Sequence, residues 1–290
     1  MVFFLTIVSF SSAREIVVAS YNLENYLGES LGSESLSQAE KPKPEPGIQA
    51  ILSILREIKP DILGVMEMGR QEVFKDFQKR LRQSGLDYPF SEWIQGDDPV
   101  RHIALLSRFP ISKHDSQPDI PFEMEGRRFH MARGILDVTV DIASGYSLRL
   151  VGLHLKSRRP VPEYDEKKFR AREAVAVRQH LDEIFAKNPK ENLLVFGDLN
   201  DTKNDFPITE ILGVRGTPSA LHEIPLKDES GLTWTHFWEA ADVYSRIDYL
   251  LAGRGLWPAL VLKKCGIFSS PMWREASDHR PVFLTLSVPE

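Results

Sequence analysis

The sequence predicts a mixed α and β fold organised as one domain, and three observations carry that expectation. Short apolar runs of strand length each end in polar residues. Helical stripes of apolar residues stand between them. The polar ends come from both halves of the chain, and they can converge on one cleft only if the halves form one unit. With 290 residues, 42% of them hydrophobic, a chain of this size buries roughly three-quarters of its unfolded surface. No internal repeat is visible.

The N-terminus, residues 1–13, is a short apolar stretch closing on Ser11-Ser12-Ala13, small residues that a signal peptidase accepts. It is too short to span a bilayer and lacks the positive start of a signal peptide. The expectation is an exported protein whose domain runs over residues 14–290. The first strand, 16–21, leads to Asn22 and Glu24; two apart in an extended chain, they would share one side. Residues 27–47, rich in Ser, Glu, Lys and Pro, read as a mobile loop without a role of its own. A helix over 47–58 puts Ile48, Ile51, Leu52, Leu55 and Ile58 on one stripe, and Pro60 stops it. The run 61–66 ends at Glu67, and the run 148–153 ends at His154 and Lys156. A longer helix near 163–186 turns Phe169, Val177, Leu181, Ile184 and Phe185 inward.

The apolar run 192–196 delivers Gly197-Asp198-Leu199-Asn200, with Asp198 and Asn200 expected to face one cleft. Gly, Asp and Asn are also the ordinary turn residues. A carboxylate able to activate water beside a neutral donor able to hold a phosphoryl oxygen suggests metal-assisted phosphoester hydrolysis. The strand 246–251 places Asp248 among apolar residues, where a carboxylate needs a partner. His279, in the segment before the last strand (282–286), is the natural candidate.

The segments Tyr21-Asn22-Leu23-Glu24-Asn25, Met66-Glu67, Leu105-Leu106-Ser107-Arg108-Phe109-Pro110-Ile111, Gly152-Leu153-His154-Leu155, Gly197-Asp198-Leu199-Asn200, Arg246-Ile247-Asp248-Tyr249 and Ser277-Asp278-His279 occur in a fixed order. Together they resemble the endonuclease/exonuclease/phosphatase superfamily, which includes deoxyribonucleases, apurinic endonucleases, neutral sphingomyelinases and inositol polyphosphate 5-phosphatases. The likeness implies an α+β, four-layer α/β sandwich: two packed, mixed but mostly antiparallel sheets flanked by helices. It also implies a divalent-metal-dependent phosphoester hydrolase using Mg2+, with Mn2+ as a substitute.

In that frame Glu67 is the metal ligand, joined by Glu24 or Asp278, since Mg2+ takes oxygen ligands and needs only one or two carboxylates. The sequence shows no other evident partner for the Glu67 charge. Asp198 orients or deprotonates water, and Asn200 and Asn22 hold phosphoryl oxygens. Paired with Asp248, His279 either stabilises negative charge or takes a proton; His154 donates on the far side of the phosphate. His102, His114, His130, His180, His222 and His236 match no motif and read as surface or packing residues.

A net charge of −5 and a pI near 6.0 exclude a generally basic nucleic-acid binder. Arg158 and Arg159 after His154, and Arg133 one strand earlier, are the candidate phosphate-contacting cations. The expected substrate is a phosphodiester, in DNA or RNA, with no stable membrane insertion. A phospholipid or inositol-phosphate hydrolase is the alternative, and a non-catalytic binding module is the alternative of another class. A lipid hydrolase calls for an exposed apolar hairpin. Trp234, Phe237 and Trp238 come nearest to one, but read as packing or cleft wall. The lone Cys265 forbids an internal disulfide and reads as a small core residue.

Overall fold

A computed structural model describes residues 13–28 and 41–289. The first half contributes β1 (Ala13–Tyr26), α1 (Glu45–Ile58), β2 (Ile62–Met68), α2 (Gln71–Gln83), β3 (Phe90–Ile94), β4 (His102–Ser107), β5 (Ile111–His114), β6 (Pro121–Met124) and β7 (Arg127–His130). From the second half come β8 (Leu136–Ala143), β9 (Tyr146–His154), α3 (Glu166–Lys187), β10 (Leu193–Asp198), α4 (Phe206–Leu212) and β11 (His222–Glu223). The chain closes with β12 (His236–Trp238), β13 (Val243–Ser245), β14 (Asp248–Ala252), β15 (Gly266–Ile267), α5 (Trp273–Ala276) and β16 (Val282–Pro289).

Two six-stranded sheets result, ordered β15-β16-β1-β2-β4-β3 and β11-β14-β10-β9-β8-β5. Each contains one parallel pair, β1 with β2 and β9 with β10, and the other pairings are antiparallel. A parallel pair needs a crossover, which α1 supplies in the first sheet and α3 in the second. Both pairs therefore end at the same kind of edge, and those edges carry the polar residues.

Period-2 alternation sorts the strands into layers. Ile16 and Val18 of β1, Ile62 of β2, Leu194 and Phe196 of β10 and Leu284 of β16 face the space between the sheets. Tyr21, Leu63 and Val65 face α1 and α2, meeting Ile51, Leu55, Phe74 and Phe77. Val151, Val195 and Tyr249 face α3 and α4, meeting Val177, Leu181 and Ile208. This is the expected four-layer sandwich.

The sheets approach each other at Phe196. A Cβ on Gly64 would lie 2.0 Å from the Phe196 ring, and one on Gly152 would lie 2.6 Å from it. The ring fills the volume that both glycines leave open, one in each sheet.

The two expected helices differ from observation only at their ends. The first begins at Glu45 behind Pro44 and ends with Lys59 in the left-handed region. The long helix starts at Glu166 because the Asp165 side chain caps it, accepting from the Lys167 and Lys168 amides. Of the expected mobile loop, residues 45–47 are helical and 29–40 lie outside the described residues. Lys43, its described anchor, is only 5% exposed at the side chain and pairs with Glu24 at 3.5 Å. Its Nζ donates to Ala276 O at 2.9 Å, so this end of the segment reaches the polar edge. Of the expected export signal, residues 1–12 lie outside the described residues.

Candidate active site

The strand ends do not place their polar residues by simple alternation. Glu24 (φ 47°), Asn25 (φ 52°), Glu67 (φ 59°) and Asn200 (φ 53°) all leave the extended conformation for the left-handed region. Non-glycine residues rarely stay there, and such strain is characteristic of sites. Asn22 Oδ1 accepts from Glu24 N at 3.0 Å, and Asp198 Oδ1 accepts from Asn200 N at 2.9 Å. Each expected pair is thus closed as a turn, the side chain of its first member accepting from the backbone of its second. The Asn200 amide donates to Leu155 O at 2.9 Å, so it ties the ends of β9 and β10 together. Gly197 is required before this corner. Its φ is 136°, and a Cβ would come within 1.9 Å of Leu153 O.

Side chains from both sheets meet at Asp198. Asn22 Nδ2 donates to Asp198 Oδ2 at 3.1 Å and, at 3.4 Å, to Glu67 Oε1. The same Asp198 oxygen lies 3.7 Å from His154 Nε2 and 3.7 Å from His279 Nε2. His279 Nδ1 is 2.8 Å from Asp248 Oδ2, as expected of the pair. Asn22, His154, Asp198, Asp248 and His279 are all buried.

Two hydroxyls hold this arrangement. Thr235 Oγ1 accepts from the Ile247 and Asp248 amides, fixing the entry of β14. Ser277 Oγ donates to Asn22 O at 2.8 Å and accepts from His279 N at 3.0 Å, clipping the segment before β16 to β1. Neither residue was evident in the sequence, because each acts on backbone groups far along the chain.

The two imidazoles flanking Asp198 sit in opposite electrostatic settings. Burial opposes the charged form of His279, but Asp248 and then Asp198 outweigh it and hold the ring's pKa well above its ordinary value. Burial, with Arg133 next, drives His154 well below its ordinary value. Its Nδ1 is buried with no hydrogen-bond partner among the described residues. Burial is also the main cause that raises the Asp198 carboxyl. The surroundings therefore favour the charged form of His279, the neutral form of His154 and a more basic carboxyl than usual on Asp198.

Among the described residues, those expected to hold a metal do not gather as one set: the groups whose ligand atoms lie within 4.8 Å of one another are His236-Asp278-His279 and Asp198-Asp248-His279. Glu24, Glu67 and Asp278 offer oxygen donors only, the set a hard cation takes. The Glu24 carboxyl is pushed up by burial, then by the negative charge of Asp278, with Glu67 adding to it. A divalent cation would relieve that repulsion. Glu67 is not isolated as expected: Arg101 Nε lies 3.8 Å from its Oε2, and the Asn25 amide donates to that oxygen at 2.8 Å.

The outer cations separate. Arg158 is not free to meet an anion: it donates to Asp201 Oδ1 (2.6 Å), Asp205 Oδ2 (2.9 Å) and Asn200 O (3.0 Å). The acids that claim it follow the Asp198 motif directly, a relation a list of cations does not reveal. Arg159 is exposed on the same loop. Arg133 is buried, pairs with Asp98 at 2.9 Å, and leaves Nε and Nη1 without an acceptor among the described residues. Near the dyad, Trp234 and Phe237 pack as expected, against Trp273 and Tyr244. Trp238 does not: it is 59% exposed on the β12–β13 hairpin, beside Val243 and Tyr244. His236 was set aside as packing, yet its ring centroid lies 4.6 Å from that of His279.

Comparison with known proteins bears on the fold and the family. No curated protein sequence matches the chain. Among solved structures, the catalytic domain of human Nocturnin with bound sulfate is 19% identical, with a TM-score of 0.64 over 94% of this chain and 95% of that one. Truncated Caenorhabditis elegans TDP2 is 19% identical, with a TM-score of 0.60 over 94% and 98%. Sphingomyelinase C from Streptomyces griseocarneus is 16% identical, with a TM-score of 0.62 over 94% and 99%. At these identities the likeness is one of fold. The model of the Endonuclease/Exonuclease/phosphatase family matches residues 19–279, and the chain belongs to that family.

Proposed function

We propose that this protein is a divalent-metal-dependent phosphodiesterase. The observation that carries the reading is the setting of Asp198 Oδ2: hydrogen-bonded to Asn22 and 3.7 Å from each of two imidazoles whose surroundings shift them in opposite directions. A phosphodiester resists attack because its oxygens repel a nucleophile and its alkoxide leaves poorly. Asp198, raised toward neutrality by burial, is suited to take the proton of an attacking water. His279, kept charged and oriented by Asp248, stabilises the negative charge that builds on phosphorus oxygens. The His154 ring supplies a further donor, while the Asn22 amide holds the Asp198 and Glu67 carboxylates in place. A divalent cation on Glu67 with Glu24 or Asp278 would add Lewis-acid polarisation of the phosphoryl group.

The substrate reading is a nucleic-acid phosphodiester. It rests on exposed Arg159 after His154, and on exposed Trp238 and Tyr244, on which bases can stack. A second reading has one observation of its own. The β12–β13 hairpin exposes Trp238, Val243 and Tyr244 together, an apolar tip of the kind a phospholipid hydrolase needs. No described helix is long and apolar enough to cross a membrane. A panel of DNA, RNA, phosphatidylcholine vesicles, a small phosphodiester and a phosphomonoester, each with Mg2+, separates these readings. Diester cleavage with the highest kcat/KM on DNA or RNA is expected. Preference for the vesicles would replace the nucleic-acid reading, and activity on the monoester alone would overturn both.

A further inference from the structure

We propose that His236, Asp278 and His279 form a second metal site, for a borderline cation such as Zn2+, which shares Asp278 with the oxygen-only set around Glu67. Their ligand atoms lie within 4.8 Å of one another. His236 Nε2 is 3.7 Å from Asp278 Oδ2, and His279 Nε2 is 3.8 Å from Asp278 Oδ1. These separations are too long for hydrogen bonds. They run to the two different oxygens of Asp278 and exceed the edge of a zinc tetrahedron, about 3.3 Å for bonds of ~2.0–2.1 Å, by an amount that side-chain rotation closes.

The outer partners fit as well. Each imidazole is held at Nδ1, His279 by Asp248 at 2.8 Å and His236 by Ser245 Oγ at 3.1 Å. In the tautomer whose Nδ1–H donates to that oxygen, each ring has its Nε2 available for a metal, as ligating histidines are ordinarily arranged. The backbone holds the rings together: His236 and His279 share an isolated bridge, and Phe237 N donates to Asp278 O at 2.9 Å. Two imidazoles and one carboxylate, with a fourth position left for water, suit zinc and not magnesium.

A cation here takes the place of the Nε2 proton on His279. It would silence the charged imidazole on which the phosphodiesterase reading depends, so zinc should inhibit turnover. That consequence rests on the proposed function; the binding does not.

The test is therefore a binding measurement. Titration of the metal-free protein with Zn2+ by calorimetry, and with Co2+ by visible absorption, is compared between wild type and His236→Gln. The expected result is a tetrahedral cobalt spectrum in the wild type that the variant lacks. Zinc affinity should fall at least about tenfold, while Mg2+ affinity changes less than about threefold. Histidine-nitrogen NMR on the wild type needs no variant, and zinc should shift Nε2 of both His236 and His279. Unchanged zinc affinity in folded His236→Gln, or zinc shifts that spare His236, would overturn the proposal.

Discussion

Asp248 sets the charge of His279, and that relation can be tested on one atom. Removing a negative charge beside an imidazolium lowers its pKa, so Asp248→Asn should move the alkaline limb of kcat/KM to lower pH. Turnover should fall by about a hundredfold to ten-thousandfold, as when an orienting carboxylate is lost. A pH–rate profile with histidine NMR checks both; an unmoved limb would mean His279 is not the group that titrates. Arg158 leads to the opposite expectation. Because Asp201 and Asp205 already hold it, Arg158→Ala should leave KM and its salt dependence on a nucleic-acid substrate near wild type. Its half-exposed ion pairs should cost no more than about 1 kcal/mol in urea unfolding. A raised KM would return Arg158 to the substrate surface.

At the scale of elements, the strands that carry the polar ends (β1, β2, β9, β10, β14) were legible, as was the last strand, β16. The shorter strands and the corners were not. The apolar runs 16–19 and 192–196, each ending in polar residues, marked β1 and β10, and the stripe from Ile48 to Ile58 marked α1. The left-handed turns at Glu24, Glu67 and Asn200 have no such pattern, since local propensity opposes them and only the surrounding contacts sustain them. His236 was missed for a related reason: its bridge to His279 joins distant segments, and no periodicity connects a hairpin to a loop. The Phe196 wedge gives the element-scale prediction. Gly64→Ala must push a methyl to within 2.0 Å of that ring, so it should lower stability by about 1–3 kcal/mol or more. Urea unfolding measures it; a neutral effect would mean the sheets separate more easily than the packing implies.

For the whole molecule, the order of motifs was enough to anticipate a site built jointly by two sheets. Glu67 and Asn22 come from one sheet, His154, Asp198 and Asp248 from the other, and His279 from the segment that closes the first. What motif order could not convey was which cations stay available: Arg158 is half-exposed but held by Asp201 and Asp205, and Arg133 is buried against Asp98. Export remains a proposal, with the mature chain expected to begin near Arg14; N-terminal sequencing of protein from its natural source would show it. The central claim is metal-dependent hydrolysis of a diester at the Glu67–Asp198–His279 centre. Its most direct test is the rate on a small phosphodiester with Mg2+, with excess chelator, and with Mg2+ restored, for wild type and Glu67→Gln. The account predicts activity that disappears with chelator, returns with Mg2+, and is reduced at least about a hundredfold in folded Glu67→Gln at matched Mg2+. Full activity in chelator, or an unimpaired Glu67→Gln, would contradict it.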